Sequence, residues 1–251
     1  MKTSPSRKYR ASEKRKITRQ QNRTAIEAAD WKVFSTIALD AANIRDIVNR
    51  SGFSQRTFYN YFRTKEAIFE VLSQELLERI RRENRAARGQ ATNAEELLFL
   101  SYQSYLNLVQ SIDGAMDFID RNQHHIRSQL YPSSAISGLA ADLEQDLRRF
   151  VPQAVMSQQD RGLISSIIIA AGAEAVLRAG RKPQISMKYL LEFLTKFMMR
   201  GLSGWQSGES KAMPQLLAEN YTPKKSAHEL ILAPARTGIA HFWLRDCVLG
   251  E

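Results

Sequence analysis

Residues 54–62 read Ser-Gln-Arg-Thr-Phe-Tyr-Asn-Tyr-Phe. Few short segments gather so many groups able to address the edges of base pairs. Gln and Asn pair with adenine through two hydrogen bonds, Arg does so with guanine, and a Thr methyl can lie against the thymine methyl. Set out at about 100° per residue, as in an α-helix, Gln55, Arg56, Tyr59 and Asn60 fall within an arc of about 140°. Phe58, Tyr61 and Phe62 fall on the other side. An ordinary surface helix splits the same way, so it is the chemistry of the polar flank that points to nucleic acid. Other chemistries find less support. There is no nucleophile elbow, phosphate loop, His-Glu metal motif or cysteine cluster. His124 and His125 are adjacent, so on a helix they point about 100° apart and do not converge on one metal. No cofactor and no metal are expected, and an enzyme is the weaker class. The single cysteine, Cys247, reads as an incidental thiol and excludes an internal disulfide. A reducing, cytoplasmic location is the natural expectation.

A recognition helix needs a scaffold, and the flanking residues supply its punctuation. Asn43 is a favoured N-cap with Asp46 three residues on, a weaker capping box. Ile44, Ile47 and Val48 give that helix an apolar face. Gly52 suits the left-handed position that closes it. Ser54 caps the next helix, which runs to about Phe62. Thr64 caps a fourth, with Glu66 in its first turn, extending to about Ala87 with arginines at its end. Two short helices, 43–50 and 54–62, joined by a turn containing Gly52 make a helix-turn-helix. Ahead of them, Ile26, Ala29, Val33 and Phe34 recur at helical spacing and predict a first helix from about Asn22 to Thr36.

Charge divides the chain. Residues 1–90 hold 20 Lys/Arg against 10 Asp/Glu, while residues 91–251 hold 16 of each. The whole net charge of +10 therefore sits in the first third. One part suited to a polyanion is joined to a neutral part with another task. Residues 1–20 are basic with almost no large apolar residue, and are expected to be a disordered arm able to lie along phosphates or reach a minor groove. Residues 21–66 form the helix-turn-helix domain, 67–90 a bridging helix, 91–205 a larger helical domain, and 206–251 a C-terminal extension with a last short helix over 235–249. From Ala94 on, helices are predicted at about 94–112, 114–130, 138–150, 158–180 and 184–203. Strand-type alternation is absent, so the fold class is all-α. The most apolar run, Leu163 to Leu177, is shorter than a bilayer requires and reads as a buried helix, so no membrane is expected.

The stretch from Ile26 to Val71 resembles the DNA-binding domain of the TetR (tetracycline-repressor) family. The residues that carry the likeness run Ile44-Arg-Asp-Ile-Val-Asn-Arg-Ser-Gly-Phe-Ser-Gln-Arg-Thr-Phe-Tyr-Asn-Tyr-Phe-Arg-Thr-Lys-Glu66. The resemblance implies a sequence-specific transcriptional regulator, most simply a ligand-responsive repressor. It implies base readout by Arg45, Gln55, Arg56 and Thr57, contacts to phosphates or bases from Tyr59, Asn60 and Tyr61, a phosphate contact from Lys65, and a backbone contact from Asn43. The chain departs from the family pattern at Ala38, where a Gly is usual, at Ala42 and Asn43, where a Thr pair is usual, and at Val48, where a small Ala is usual.

The resemblance also implies a helical domain that dimerises and binds a small molecule. The predicted helices 158–180 and 184–203 each carry a broad apolar face, as a four-helix interface between two copies would need. A two-fold dimer would read a palindromic operator in double-stranded DNA. An aromatic cavity for a small apolar ligand is expected from Phe99, Tyr102, Tyr105, Met116, Phe118 and His124, although ordinary core packing is the better explanation of most of these residues. The alternative is a helical protein that binds DNA without sequence preference, in the manner of a nucleoid protein, through its basic arm.

Overall fold

The computed structural model describes residues 7–130, 134–181 and 185–206. The expected extension 206–251, with its last helix and Cys247, lies outside them from residue 207 on, as do residues 1–6 of the arm and the first residue of the predicted helix 184–203. The regular structure of the described residues is all helical: α1 Arg7–Thr36, α2 Ile44–Ser51, α3 Gln55–Tyr59, α4 Lys65–Arg88, α5 Ala94–Ser111, α6 Ala115–Arg121, α7 Gln123–Leu130, α8 Ser134–Leu147, α9 Gln158–Arg181 and α10 Met187–Gln206.

The caps are where the residue types put them. The Asn43 side chain accepts from the Asp46 backbone N–H and the Asp46 carboxylate accepts from the Asn43 N–H, which closes a full capping box. Gly52 ends α2 at φ 73°, a conformation glycine adopts without the Cβ penalty. Ser54 accepts from the Thr57 N–H and Thr64 from the Ala67 N–H, starting α3 and α4.

Two expectations are corrected. Residues 7–20 are not a disordered arm, because α1 runs unbroken from Arg7. Low apolar content says only that the segment has no core of its own. Lys, Arg, Gln, Glu and Ala are good helix formers, and an Arg23–Glu27 pair at 2.7 Å ties one turn of the continuation. The single helix expected over 114–130 is instead two, broken at Asn122. Asn122 is fully buried, and its side chain caps backbone groups of a distant segment rather than lying on a helix face. Helix α9 also proves, by length and composition, long and apolar enough to cross a bilayer. One side of it packs within the fold, while Leu163 and Ile167 on the other stay exposed. It packs on α8, α6, α10 and α5, and its Arg161 is buried with its guanidinium on the carbonyls of Val151 and Met156.

Burial is organised around two clusters. Ile26, Val33, Phe34, Ile47, Phe58, Phe62, Ile68 and Phe69 hold α1 to α4 together. Leu97, Leu98, Leu106, Leu143, Leu147, Val176, Leu190 and Leu194 hold α5 and α8 to α10. Helix α4 belongs to both halves. It packs on α1 at one end and on α5 and α8 along the rest, where Arg81 pairs with Asp142 and Arg88 with Asp146, each at 2.7 Å.

Candidate nucleic-acid interface

The polar flank of α3 is open. Gln55, Arg56, Tyr59 and Asn60 are exposed, whereas Phe58 and Phe62 behind them are buried. Phe58 packs edge-on to Tyr59 and obliquely on Phe62. The guanidinium of Arg23, from α1, lies over the Phe62 ring at 5.4 Å. The rod is thus anchored by its aromatic side and presents its hydrogen-bonding side outward.

The other expected residues divide. Arg45 is exposed one residue into α2. Thr57 is half-buried, with its hydroxyl 2.9 Å from that of Ser54. Tyr61 is half-buried beside Asn60, and both line a groove with Lys14, Arg15, Thr18, Arg19 and Asn22 of α1. Asn43 is exposed, with its carbonyl oxygen committed to the cap of α2. Lys65 is half-buried and serves the loop ahead of α2. Its ammonium donates to the carbonyls of Leu39, Asp40 and Ala42 at 2.7, 3.3 and 2.8 Å. It closes the loop between α1 and α2 from beneath.

The groove beside Asn60 and Tyr61 was not foreseen in this form. Continuing α1 as a helix carries its cations alongside the recognition helix. Lys14, Arg15 and Arg19, like Arg45, Arg50, Arg56 and Arg63, are exposed and pair with no acid among the described residues. Unpaired cations on α1, α2, α3 and the turn after α3, three of them lining the groove beside Asn60 and Tyr61, suit a polyanion.

Sequence reasoning also missed the clasp that holds this end to the rest. The Asn122 amide donates to the carbonyls of Phe34 and Phe118 at 2.9 and 2.8 Å and accepts from the Leu39 N–H at 2.8 Å. Trp31 Nε1 donates to the Asp113 carbonyl at 2.7 Å, and Arg121 Nε to that of Ser35 at 2.9 Å. His125 Nε2 lies 2.9 Å from Asp40 Oδ1. Gly114 turns at φ 74°, and a Cβ there would meet Ser35 Oγ at 2.9 Å. An isolated Asn between two helical patterns is the one signal that could have announced this clasp.

Of the residues expected around a ligand, Tyr102, Tyr105 and Phe118 line a cavity of about 700 Å³ enclosed chiefly by α4, α5, α8 and α9. Phe99, Met116 and His124 are not among its walls. His124 is exposed, and Met116 faces Gly180, with Cε 3.5 Å from where a Cβ would stand there. Sequence spacing placed those three on the right helices but could not say which helix face the cavity would occupy. Tyr102 donates to the Ile168 carbonyl at 3.1 Å, and burial raises the phenols of both Tyr102 and Tyr105. Among the described residues no group of three or more His, Cys, Asp or Glu is placed to hold a metal.

Residues 26–72 match the family model described as bacterial regulatory proteins, tetR family. A search of curated proteins finds none that matches the sequence. Among solved structures, the fatty acid degradation regulator FadR from Bacillus halodurans is similar at 19% identity and a TM-score of 0.61, over 70% of this chain and 93% of that one. FadR from Bacillus subtilis, solved in complex with stearoyl-CoA, is similar at 17% identity and a TM-score of 0.59, over 70% and 96%. A TetR-like transcriptional regulator from Rhodococcus sp. RHA1 is similar at 20% identity and a TM-score of 0.57, over 73% and 96%. At such identities the likeness carries the fold, while the matched model carries the helix-turn-helix. Together they establish that residues 26–72 resemble the helix-turn-helix of tetR regulatory proteins, within an all-helical fold shared with these solved regulators.

Proposed function

We propose that the protein is a ligand-responsive repressor that binds a palindromic operator as a homodimer in the cytoplasm. The observation that carries the DNA clause is the exposed flank Gln55, Arg56, Tyr59 and Asn60 on a rod whose opposite side is buried. Arg45, Gln55, Arg56 and Thr57 read bases, and Tyr59, Asn60, Tyr61 and Asn43 position the rod on the backbone. The dimer clause is supported by α9 and α10, where Leu163, Ile167, Tyr189, Phe193 and Phe197 remain between 51% and 61% exposed. Large apolar residues grouped in this way mark an interaction surface. The structural similarity to a regulator solved with stearoyl-CoA supports an aliphatic ligand for the cavity.

Ligand in the cavity would favour one arrangement of α4 over another. Helix α4 and the Asn122 clasp would then carry that preference to α1 to α3 and change the spacing of the two recognition helices. Operator affinity falls by the ratio of ligand affinities in the two arrangements. The decisive experiment is selection of bound sequences from a random DNA pool, followed by binding of Arg56→Ala. A palindrome with half-site centres about 34–36 Å apart is expected. The substitution should cost about 1–3 kcal/mol on the selected site and little on random DNA. An unenriched pool, or equal losses on both DNAs, would favour the sequence-independent binder instead.

A further inference from the structure

The first half of α1 is built unlike the rest of the helix. Between Arg7 and Asn22 it holds seven Lys/Arg and one acid, Glu13. Residues 13–21 are all exposed, and the first residue of α1 to enter an apolar cluster is Ile26. A helix that buries nothing depends on its own charges, and here they oppose it. The first turn opens on Arg7, Lys8, Tyr9 and Arg10 with no acid, against the helix dipole. Arg15 and Arg19 are like charges four residues apart, a spacing at which they repel.

The charges are not spread evenly around this rod. Lys14, Arg15, Thr18, Arg19 and Asn22 line one groove and fall within an arc of about 140°. Glu13 stands on the far side, about 170° from the centre of that arc. Asn60 and Tyr61 complete the groove. The stripe therefore adjoins the C-terminal end of α3, the end away from Gln55. From Asn22 back to Arg7 the rod measures about 22 Å, or about six base-pair steps of a duplex.

From this we infer that residues 7–22 of α1 form a second DNA contact, a cationic rod lying along the phosphates of the duplex that flanks the segment addressed by α3, past its C-terminal end. The sign of the stripe and its continuity with the groove at Asn60 and Tyr61 both select this partner. Phosphates along the stripe relieve the repulsion between Arg15 and Arg19 and supply the anions that the start of the helix lacks, so DNA holds the rod in its helical form. The inference rests on the proposed function for the seating of α3 on DNA, and it carries the footprint of the protein beyond the palindrome. Because the contact is to phosphates, it adds affinity without sequence preference.

The test is anisotropy titration of the full chain, at several salt concentrations, on duplexes that carry the selected palindrome with flanks lengthened stepwise from none to about twelve base pairs on each side. Affinity should rise about ten-fold or more as each flank grows to about six base pairs and then level, with the salt slope steeper by about two to three per protomer. Lys14→Gln should lower the slope by about one on flanked duplexes. Lys16→Gln, about 130° from the centre of the stripe, should leave it unchanged. Replacing Lys14, Arg15 and Arg19 together with Gln, which preserves helix propensity, should remove the dependence on flank length. Backbone amides of residues 7–21 should gain hydrogen-exchange protection on the flanked duplex and not on the bare palindrome. Affinity indifferent to flank length, equal effects from Lys14→Gln and Lys16→Gln, or protection of the rod by anionic phospholipid vesicles and not by DNA would each overturn the assignment. If no palindrome is selected but Lys14→Gln still lowers the slope on a long random duplex, the operator reading fails and the rod stands. If the palindrome is selected and its flanks have no effect, the rod fails and the operator reading stands.

Discussion

At the scale of the residue, two side chains separate positioning from contact. Lys65 holds three carbonyls of the loop that precedes α2, so on the proposed function its effect on DNA is expected through the placement of Asn43 and Arg45. Each phosphate neutralised by a cation adds about 0.9 to the slope of log affinity against log salt. Lys65→Gln is therefore expected to lower thermal stability and weaken operator binding with the salt slope unchanged. A slope reduced by about one would return Lys65 to the phosphates. Asp30 poses a different question. It is fully buried on α1, and neither carboxylate oxygen has a partner. Burial, and secondarily Glu27, push its pKa from 3.8 up to about 8. In the unfolded chain the group releases its proton near pH 4, whereas the folded protein holds it until about pH 8. The folded state binds more protons across that window, so stability should fall as pH rises from about 4 to 8. Asp30→Asn removes the titration. Its melting midpoint should exceed that of the parent at pH 8, by about 2–4 °C for each kcal/mol recovered, and the difference should shrink toward pH 5. Melting curves whose difference is flat between those pH values would show that Asp30 ionises normally.

At the scale of the element, α1 is where sequence and structure part most. Its first half carries no periodic apolar face, and periodicity was the only signal that could have extended it. Helix propensity, being local, does not announce itself in that way. The starts of α2, α3 and α4 and the end of α2 were legible because Asn43, Gly52, Ser54 and Thr64 act within three residues of where they stand in sequence, whereas α3, expected to run to Phe62, ends at Tyr59. The break at Asn122 was not, since its partners Phe34 and Leu39 lie more than 80 residues away. The exposed flank of α3 was legible from angle alone, whereas the cavity wall was only half so. Tyr102, Tyr105 and Phe118 could be named from composition, but Ser73, Leu76 and Ile80, which also line it, belong to α4, whose sequence marks it only as a bridging helix. The helical form of residues 7–20 changes what the basic segment can do. A rod fixes Lys14, Arg15 and Arg19 beside Asn60 and Tyr61, where a loose arm would wander. Replacing those three cations with alanine should reduce the salt slope by about two to three and weaken selected and random DNA alike, because phosphate contacts carry no sequence information. Loss confined to the selected site would instead place one of them on a base.

At the scale of the whole molecule, the basic end and the apolar face at α9 and α10 are two halves of one requirement. A recognition helix of five residues, Gln55–Tyr59, meets few base pairs, and specificity in a genome needs a second copy at fixed spacing. In the proposed dimer that spacing would be set by whatever joins the copies. On α10, Tyr189, Phe193 and Phe197 recur every fourth residue, with successive ring centroids 6.2 and 5.9 Å apart. Leu163 and Ile167 repeat the same interval on α9. A row of stacked aromatic rings in water is unfavourable, and a two-fold partner would cover it with the same row. Phe193 stands in the middle of that row, and its substitution leaves the buried residues Leu190, Leu194 and Met198 of the same helix untouched. Phe193→Glu should therefore keep its helical content while its sedimentation mass falls from twice 28.6 kDa to 28.6 kDa. Affinity for the full palindrome should fall with it, while weak binding to random DNA, which needs only the cations, persists. A parent protein that already sediments at 28.6 kDa at micromolar concentration, or a Phe193→Glu variant that remains a dimer, would detach this face from the reading of the operator.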